Sequence, residues 1–228
     1  MAIKNDREYR DFKSFGLIEH RAEDDTEGEQ GLFVEGYAST FEIYDLFEVP
    51  AELSWEGKRE IYREQIDKNA FDETDMSDVV FLRDHTGQVL ARTKNKLVRL
   101  SIDDKGLFTR TDLSKTEGAR AMYEDIKAQN YTQMSFAFIS DRGMEDWTEE
   151  RSEDTIIYTR TIKRIKKIFD VSAVGFPANP ATDIAPATRS IFDGAIENMR
   201  AERLAAEARA KAVQRLTLKI KLYEEEHK

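Results

Sequence analysis

Ser135 and His85 are the two side chains whose types and setting best suit nucleophilic attack with proton transfer. Ser135 lies in "NYTQMSFAFIS", crowded by Tyr131, Met134, Phe136, Phe138 and Ile139. Strand alternation sends Met134, Phe136 and Phe138 to one face and Ser135, Ala137 and Ile139 to the other. A buried hydroxyl without a partner costs roughly 1 to 3 kcal/mol, so Ser135 either bonds a neighbour or stands there for chemistry. Of the three histidines, His20 and His227 fall in polar, weakly structured ends, which leaves His85 as the candidate base. An imidazole with its ordinary pKa of about 6.5 suits proton transfer near neutrality. His85 ends the apolar run "VVFL" and precedes the turn-prone "TGQ", a sheet margin that suits a structural or merely exposed histidine as well as a catalytic one.

Other chemistries find no support. Cysteine is absent, which removes thiol nucleophiles, disulfides and thiolate metal sites and fits a reducing compartment such as cytoplasm. The histidines lack i, i+4 spacing, and the carboxylates form neither an HExxH arrangement nor an EF-hand loop, so no metal is expected. "DDKGLF" is a hairpin turn and not a phosphate cradle, and GxSxG is missing, so no cofactor is expected and a serine nucleophile must use a scaffold other than an α/β-hydrolase elbow. A net charge of -10 disfavours nucleic acid as a partner. The exception is "RTIKRIKK", where Ile162 and Ile165 alternate among Arg160, Lys163, Arg164, Lys166 and Lys167. It reads first as a solvated strand face and second as an anion site. No apolar run approaches a membrane span, and "MAIKNDREYRDF" lacks the apolar core of a secretion signal, so neither membrane insertion nor that export route is expected.

The elements that must position these residues can be read in outline. The first thirty residues are polar and end in the acidic "RAEDDTEGEQG", so order is expected to begin near Leu32. "GLFVEGYASTF" alternates as a strand, "REIYREQID" suits a strand or a short helix, and "SDVVFLRDH" is a compact apolar run. "QVLARTKNKLVRLSIDDKGLFTRTDLS" holds three strand-like runs separated by turns at Lys94 to Lys96 and Asp103 to Gly106, the pattern of a meander. "SKTEGARAMYEDIKAQN" predicts a helix with capping hydroxyls at Ser114 and Thr116 and an apolar stripe of Ala119, Met122, Tyr123 and Ile126. After the Ser135 strand comes a charged excursion, "DRGMEDWTEERSEDT", then the strands "IIYTRTI" and "IKKIFDVSAVGF", with "PANP" ending the sheet near Phe176. Residues 190 to 226 predict a long helix on which Val213, Leu216, Ile220 and Tyr223 form an apolar stripe, while Glu207 and Lys211 pair across one turn. That stripe fits packing on its own domain as well as an arm for self-association or docking.

Taken together, "GYASTF", "DHTGQVLARTKNKLVRLSIDDKGLFTRTDLS", the helix, "QMSFAF" and "FDVSAVGFPANPATD" resemble the prohead maturation proteases of tailed phages, the HK97-type family, itself similar in fold to herpesvirus assemblin. The resemblance spans about residues 32 to 185 and rests on order and spacing: a histidine after an apolar strand, a Gly-Leu hairpin, a helix, then a serine in an aromatic strand. It implies an α+β fold, a mostly antiparallel β-barrel of assemblin type with surrounding helices; the long C-terminal helix, read from the sequence alone, departs from the family's pattern. It also implies that Ser135 is the nucleophile and His85 its base, and it maps the third, acidic member onto Asp170. Arg164 or Lys166 would satisfy a buried Asp170 without catalysis, and Asp84 is a rival lying close to His85 in sequence. Ser172 becomes structural. The oxyanion donors are expected among backbone N–H groups, with an arginine as a further candidate.

The expected organisation is a mobile segment at 1–30, a serine protease domain at 31–185 and a helical arm at 186–228, of which the resemblance implies only the middle part. The implied activity is a serine endopeptidase that cuts the major capsid protein, the scaffold and itself inside the procapsid, in the host cytoplasm, without cofactor. The alternative is a non-catalytic capsid assembly or scaffolding protein whose helix carries the function.

Overall fold

The computed structural model describes residues 7–11, 19–22, 31–175 and 186–226. Within them the order is β1 (Glu8–Asp11), β2 (Glu19–Ala22), β3 (Leu32–Thr40), β4 (Tyr44–Val49), β5 (Arg59–Ile66), β6 (Val80–Arg83), β7 (Thr86–Arg92), β8 (Val98–Ile102), β9 (Gly106–Asp112), α1 (Glu117–Lys127), β10 (Gln133–Ser140), β11 (Glu145–Arg151), β12 (Thr155–Ile162), β13 (Ile165–Val174) and α2 (Pro186–Glu226). The chain divides into two compact units, Met1–Ala187 and Thr188–Lys228. The class is α+β.

The strands form three sheets, in the orders β1-β10-β13-β6-β7, β11-β12-β5-β4 and β2-β3-β9-β8. All pairings are antiparallel except β12 with β5 and β13 with β6. The expected barrel is met only in its coarser part. Among the described residues each sheet has two free edges, and no ladder closes them into one ring.

Phe81, Phe136, Phe138, Ile168 and Val171 pack with Leu107, Leu113 and Met122 in one core. Burying each such side chain stabilises the fold by roughly 1.5 to 3 kcal/mol. Phe136 and Phe138, two apart on β10, stack at 4.6 Å, which holds the face opposite Ser135 against the core. Helix α1 buries Ala119, Met122, Tyr123 and Ile126, the stripe its sequence predicts, and the Thr116 hydroxyl caps it by accepting from the Ala119 N–H at 3.2 Å.

Four expectations change. Order does not begin near Leu32: β1 pairs with β10 and β2 with β3. The meander breaks after β7, which pairs with β6, whereas β8 pairs with β9. A short 3-10 turn at Thr93–Asn95, closed by left-handed Lys96, carries the chain from one sheet to the next. The charged excursion contains β11, an edge strand whose Glu145 and Glu149 meet Arg160 and Arg151, so ion pairs stand in for the apolar alternation that would have marked it. The basic run is not one solvated face either. Arg160 has no exposed surface, and the chain turns between Ile162 and Ile165. The 59–67 segment is the strand β5, and the 41-residue α2 is the long helix of the C-terminus. Among the described residues no helix is long and apolar enough to cross a membrane.

Candidate active site

Ser135 sits on β10, an inner strand of the five-stranded sheet, opposite Asp11 of β1 on one side and Ser172 of β13 on the other. Asp170 is two residues before Ser172, on the same face by strand alternation, and is the register partner of Ala137. Thus β10 and β13 alone present Ser135, Ser172 and Asp170 together.

His85 arrives by a different route. β6 runs parallel to β13, with Arg83 beside Ala173, and returns as β7 through a loop of two residues, Asp84 and His85, between the paired Arg83 and Thr86. Both loop residues have positive φ, 45° and 56°, as the tight hairpin turns compatible with strand twist require. For residues with a Cβ this conformation costs roughly 1 to 2 kcal/mol each. Bonds to β13 hold it: the Asp84 N–H donates to the Ala173 carbonyl at 3.0 Å, and the Gly175 N–H donates to Asp84 Oδ1 at 3.2 Å. The turn therefore swings the imidazole back over the sheet end.

The three residues meet. His85 Nδ1 lies 2.6 Å from Asp170 Oδ1, and His85 Nε2 lies 2.5 Å from Ser135 Oγ. Ser135 is fully buried and Asp170 is 3% exposed; the His85 side chain keeps 13%. Asp170 is an acceptor when ionised, so Nδ1 carries a proton and donates it, which leaves Nε2 of the neutral ring as the acceptor for the serine proton. Arg164 and Lys166 do not take Asp170: Arg164 bonds Glu73 and Lys166 is exposed. Asp84 turns to Gly175. Of the other histidines, His20 contributes backbone pairing in β2, and His227 lies outside the described residues.

Three contacts go beyond the sequence reading. Ser172 Oγ donates to Asp170 Oδ1 at 2.8 Å and lies 3.2 Å from His85 Nδ1; its i, i+2 spacing from Asp170 was the available signal. Ser135 Oγ also lies 2.7 Å from the Arg10 carbonyl, a second acceptor that competes with His85 Nε2 for its single proton. No local pattern announces that contact, because it spans 125 positions.

β1 is anchored by its charges. Arg10 pairs with Glu64 at 2.5 Å and with Glu8 at 2.6 Å, and Arg160 pairs with Glu8, Glu64 and Glu145 at 2.5, 2.9 and 2.5 Å. Ser140 donates to Glu8 and Tyr44 to Glu64. Burial pushes the Glu8 carboxyl up, but the Arg10 and Arg160 charges outweigh it and hold the group at about 2. Arg10 is buried too, and its neighbours Glu64 and Glu8 more than offset the cost, leaving it well above the usual guanidinium range.

Beside the His85 turn is a cleft of about 530 Å³ lined by Arg83, Asp84, Asp125, Asn130, Tyr131 and Gly175. Arg83 pairs with Asp125 and stands over the Tyr131 ring at 5.1 Å. Burial and the Asp84 carboxylate raise the Tyr131 hydroxyl. Among the described residues no cluster of His, Asp and Glu has the makings of a metal site.

No curated protein and no solved structure was found to match the chain. The sequence model of the caudovirus prohead serine proteases matches residues 17–196, a range that takes in β2 to β13 and the start of α2. The chain belongs to the caudovirus prohead serine protease family.

Proposed function

We propose that this chain is a serine endopeptidase of procapsid maturation in which Ser135 is the nucleophile, His85 the general base and Asp170 the residue that orients it. The observation that carries the reading is His85 itself, bonded through one ring nitrogen to Asp170 and through the other to Ser135. A serine hydroxyl is a weak nucleophile until a base accepts its proton. Ser135 Oγ attacks the scissile carbonyl carbon while Nε2 takes the proton. The resulting imidazolium is stabilised by Asp170 and then protonates the departing amine as the C–N bond breaks. Water hydrolyses the acyl-enzyme with His85 again as base. General-base help of this kind is typically worth about 10² to 10⁴-fold.

The substrates in this reading are the capsid and scaffold polypeptides packed with the enzyme inside the procapsid, and the chain's own exposed segments. Confinement sets a high effective concentration, so weak affinity suffices. The assemblin-type arrangement of the sheets belongs to the same reading. Helix α2 acts as the arm that docks to the shell or its scaffold: Val213, Leu216 and Ile220 are exposed at helical spacing, an apolar stripe in need of a partner.

The test is coexpression with the capsid protein, read by intact mass. The unmutated chain shortens its substrate, and Ser135→Ala leaves it intact, with turnover reduced on the order of 10⁶-fold. A serine-reactive phosphonate labels Ser135 only while His85 is present. Intact capsid protein with the unmutated chain, and no labelling, would favour the non-catalytic assembly role.

A further inference from the structure

We infer that Ser172 is a positioning residue of this site, fixing the carboxylate of Asp170 so that His85 Nε2 faces Ser135. The inference rests on the protease reading above and extends it to a side chain that the family resemblance treats as structural. The geometry is specific. One oxygen, Asp170 Oδ1, accepts both the His85 Nδ1–H at 2.6 Å and the Ser172 Oγ–H at 2.8 Å. Ser172 Oγ is itself 3.2 Å from His85 Nδ1, so the three polar atoms form a closed triangle. Ser172 has no exposed surface, and it faces Ser135 directly across the β10–β13 ladder.

A buried hydroxyl needs a partner, and that alone would make Ser172 structural. The choice of partner says more. The terminal torsion of an aspartate is broad, so one donor on Oδ1 leaves the carboxylate free to rock about the Cβ–Cγ bond and to carry the imidazole with it. A second donor at a different angle removes that freedom. Because His85 sits on a two-residue turn with positive φ at both positions, the backbone offers little adjustment, and its ring angle is set at Asp170. The rigid strand β13 supplies both the carboxylate and its clamp, two residues apart.

Three measurements on the full-length chain test this. Ser172→Ala lowers kcat about tenfold with KM unchanged, the loss expected when one hydrogen bond to a charged group disappears, and Ser172→Thr, which keeps the hydroxyl, restores most of it. In the Asp170→Asn background Ser172→Ala has less than a further twofold effect, since it acts through that carboxylate. The proton resonance of His85 Nδ1–H shifts and broadens in Ser172→Ala and returns in Ser172→Thr. An unaltered kcat and resonance in Ser172→Ala would overturn the inference, as would an undiminished tenfold loss in the Asp170→Asn background. The resonance is independent of turnover. If it responds to Ser172→Ala while the unmutated chain cleaves no capsid or scaffold protein, positioning stands and the protease reading fails; if cleavage is normal and neither readout moves, the reverse holds.

Discussion

Ser135 and Arg10 are 125 positions apart, yet the serine Oγ lies 2.7 Å from the Arg10 carbonyl. The hydroxyl has one proton and two acceptors, this carbonyl and His85 Nε2 at 2.5 Å. With a neutral imidazole the proton stays on Oγ and points at Nε2, ready for transfer. With an imidazolium, Nε2–H donates to Oγ and the serine proton turns to Arg10. The first strand is thus part of the site, and the charges that anchor β1 bear on the Ser135 hydroxyl.

The anchoring predicts an acid response. Glu8 is held at about 2 against an ordinary 4.5. A depressed carboxyl contributes stability above its unfolded pKa and loses it as pH falls through the folded one. The contribution, on the order of 3 kcal/mol, should therefore be present above about pH 4.5 and fade toward pH 2. Urea midpoints measured across this range should fall in the unmutated chain and run flatter in Glu8→Gln. Identical slopes would remove Glu8 from the account.

Removing a cation from the buried cluster should do more harm. Arg160 is fully buried between Glu8, Glu64 and Glu145, and Arg160→Met leaves three carboxylates without it. The expected loss is roughly 3 to 5 kcal/mol, read by denaturant unfolding, with faster amide exchange in β1. A loss under ~1 kcal/mol would mean that the cluster relaxes by taking up protons.

Asp170→Asn should lower kcat by about 10⁴-fold, because the amide no longer enforces the tautomer that leaves Nε2 free to accept. Steady-state cleavage of a capsid-derived peptide measures it. Activity within tenfold of the unmutated chain would direct attention to another acid.

The turn carrying His85 gives a fourth prediction. Asp84 has φ 45°, a region that Asn tolerates and β-branched residues do not. Asp84→Asn should keep both stability and cleavage. Asp84→Val should cost about 1 to 2 kcal/mol and reduce kcat by displacing the imidazole; thermal melting beside peptide cleavage separates the two effects. Equal behaviour of the two variants would count against strain in this loop.

The arm is tested without touching the site. Leu216→Asp with Ile220→Asp places charges on the exposed stripe of α2. Peptide cleavage should be unchanged and incorporation into shells lost, as read by gradient sedimentation. Substitution is preferable to truncation at residue 187, because the family match runs to residue 196. Normal incorporation would assign docking to some other surface.

How much could be read in advance varied with the range of the forces involved. α1 and α2 were legible because capping hydroxyls, helical spacing and the lack of Pro act within a few residues. So was the strand of Ser135. β1, β2 and β11 were missed because their sequences are polar, and they are held by pairing with distant strands and by charges such as Glu8, Arg10 and Glu145. The meander failed for a similar reason: β7 and β8 each look like strands, but nothing local says which neighbour each takes.

By itself the sequence determined the chemical inventory: one hydroxyl in an aromatic strand, one histidine at a sheet margin, an acid in a buried strand, no cysteine and a helical C-terminus. Those are properties of residue type and short-range periodicity. Only the tertiary structure decided that β10 lies between β1 and β13, which sets Asp170, Ser172 and the Arg10 carbonyl around Ser135 and His85. Strand order and register are fixed by long-range packing and backbone pairing, and these are sums over distant partners that no single stretch of chain encodes.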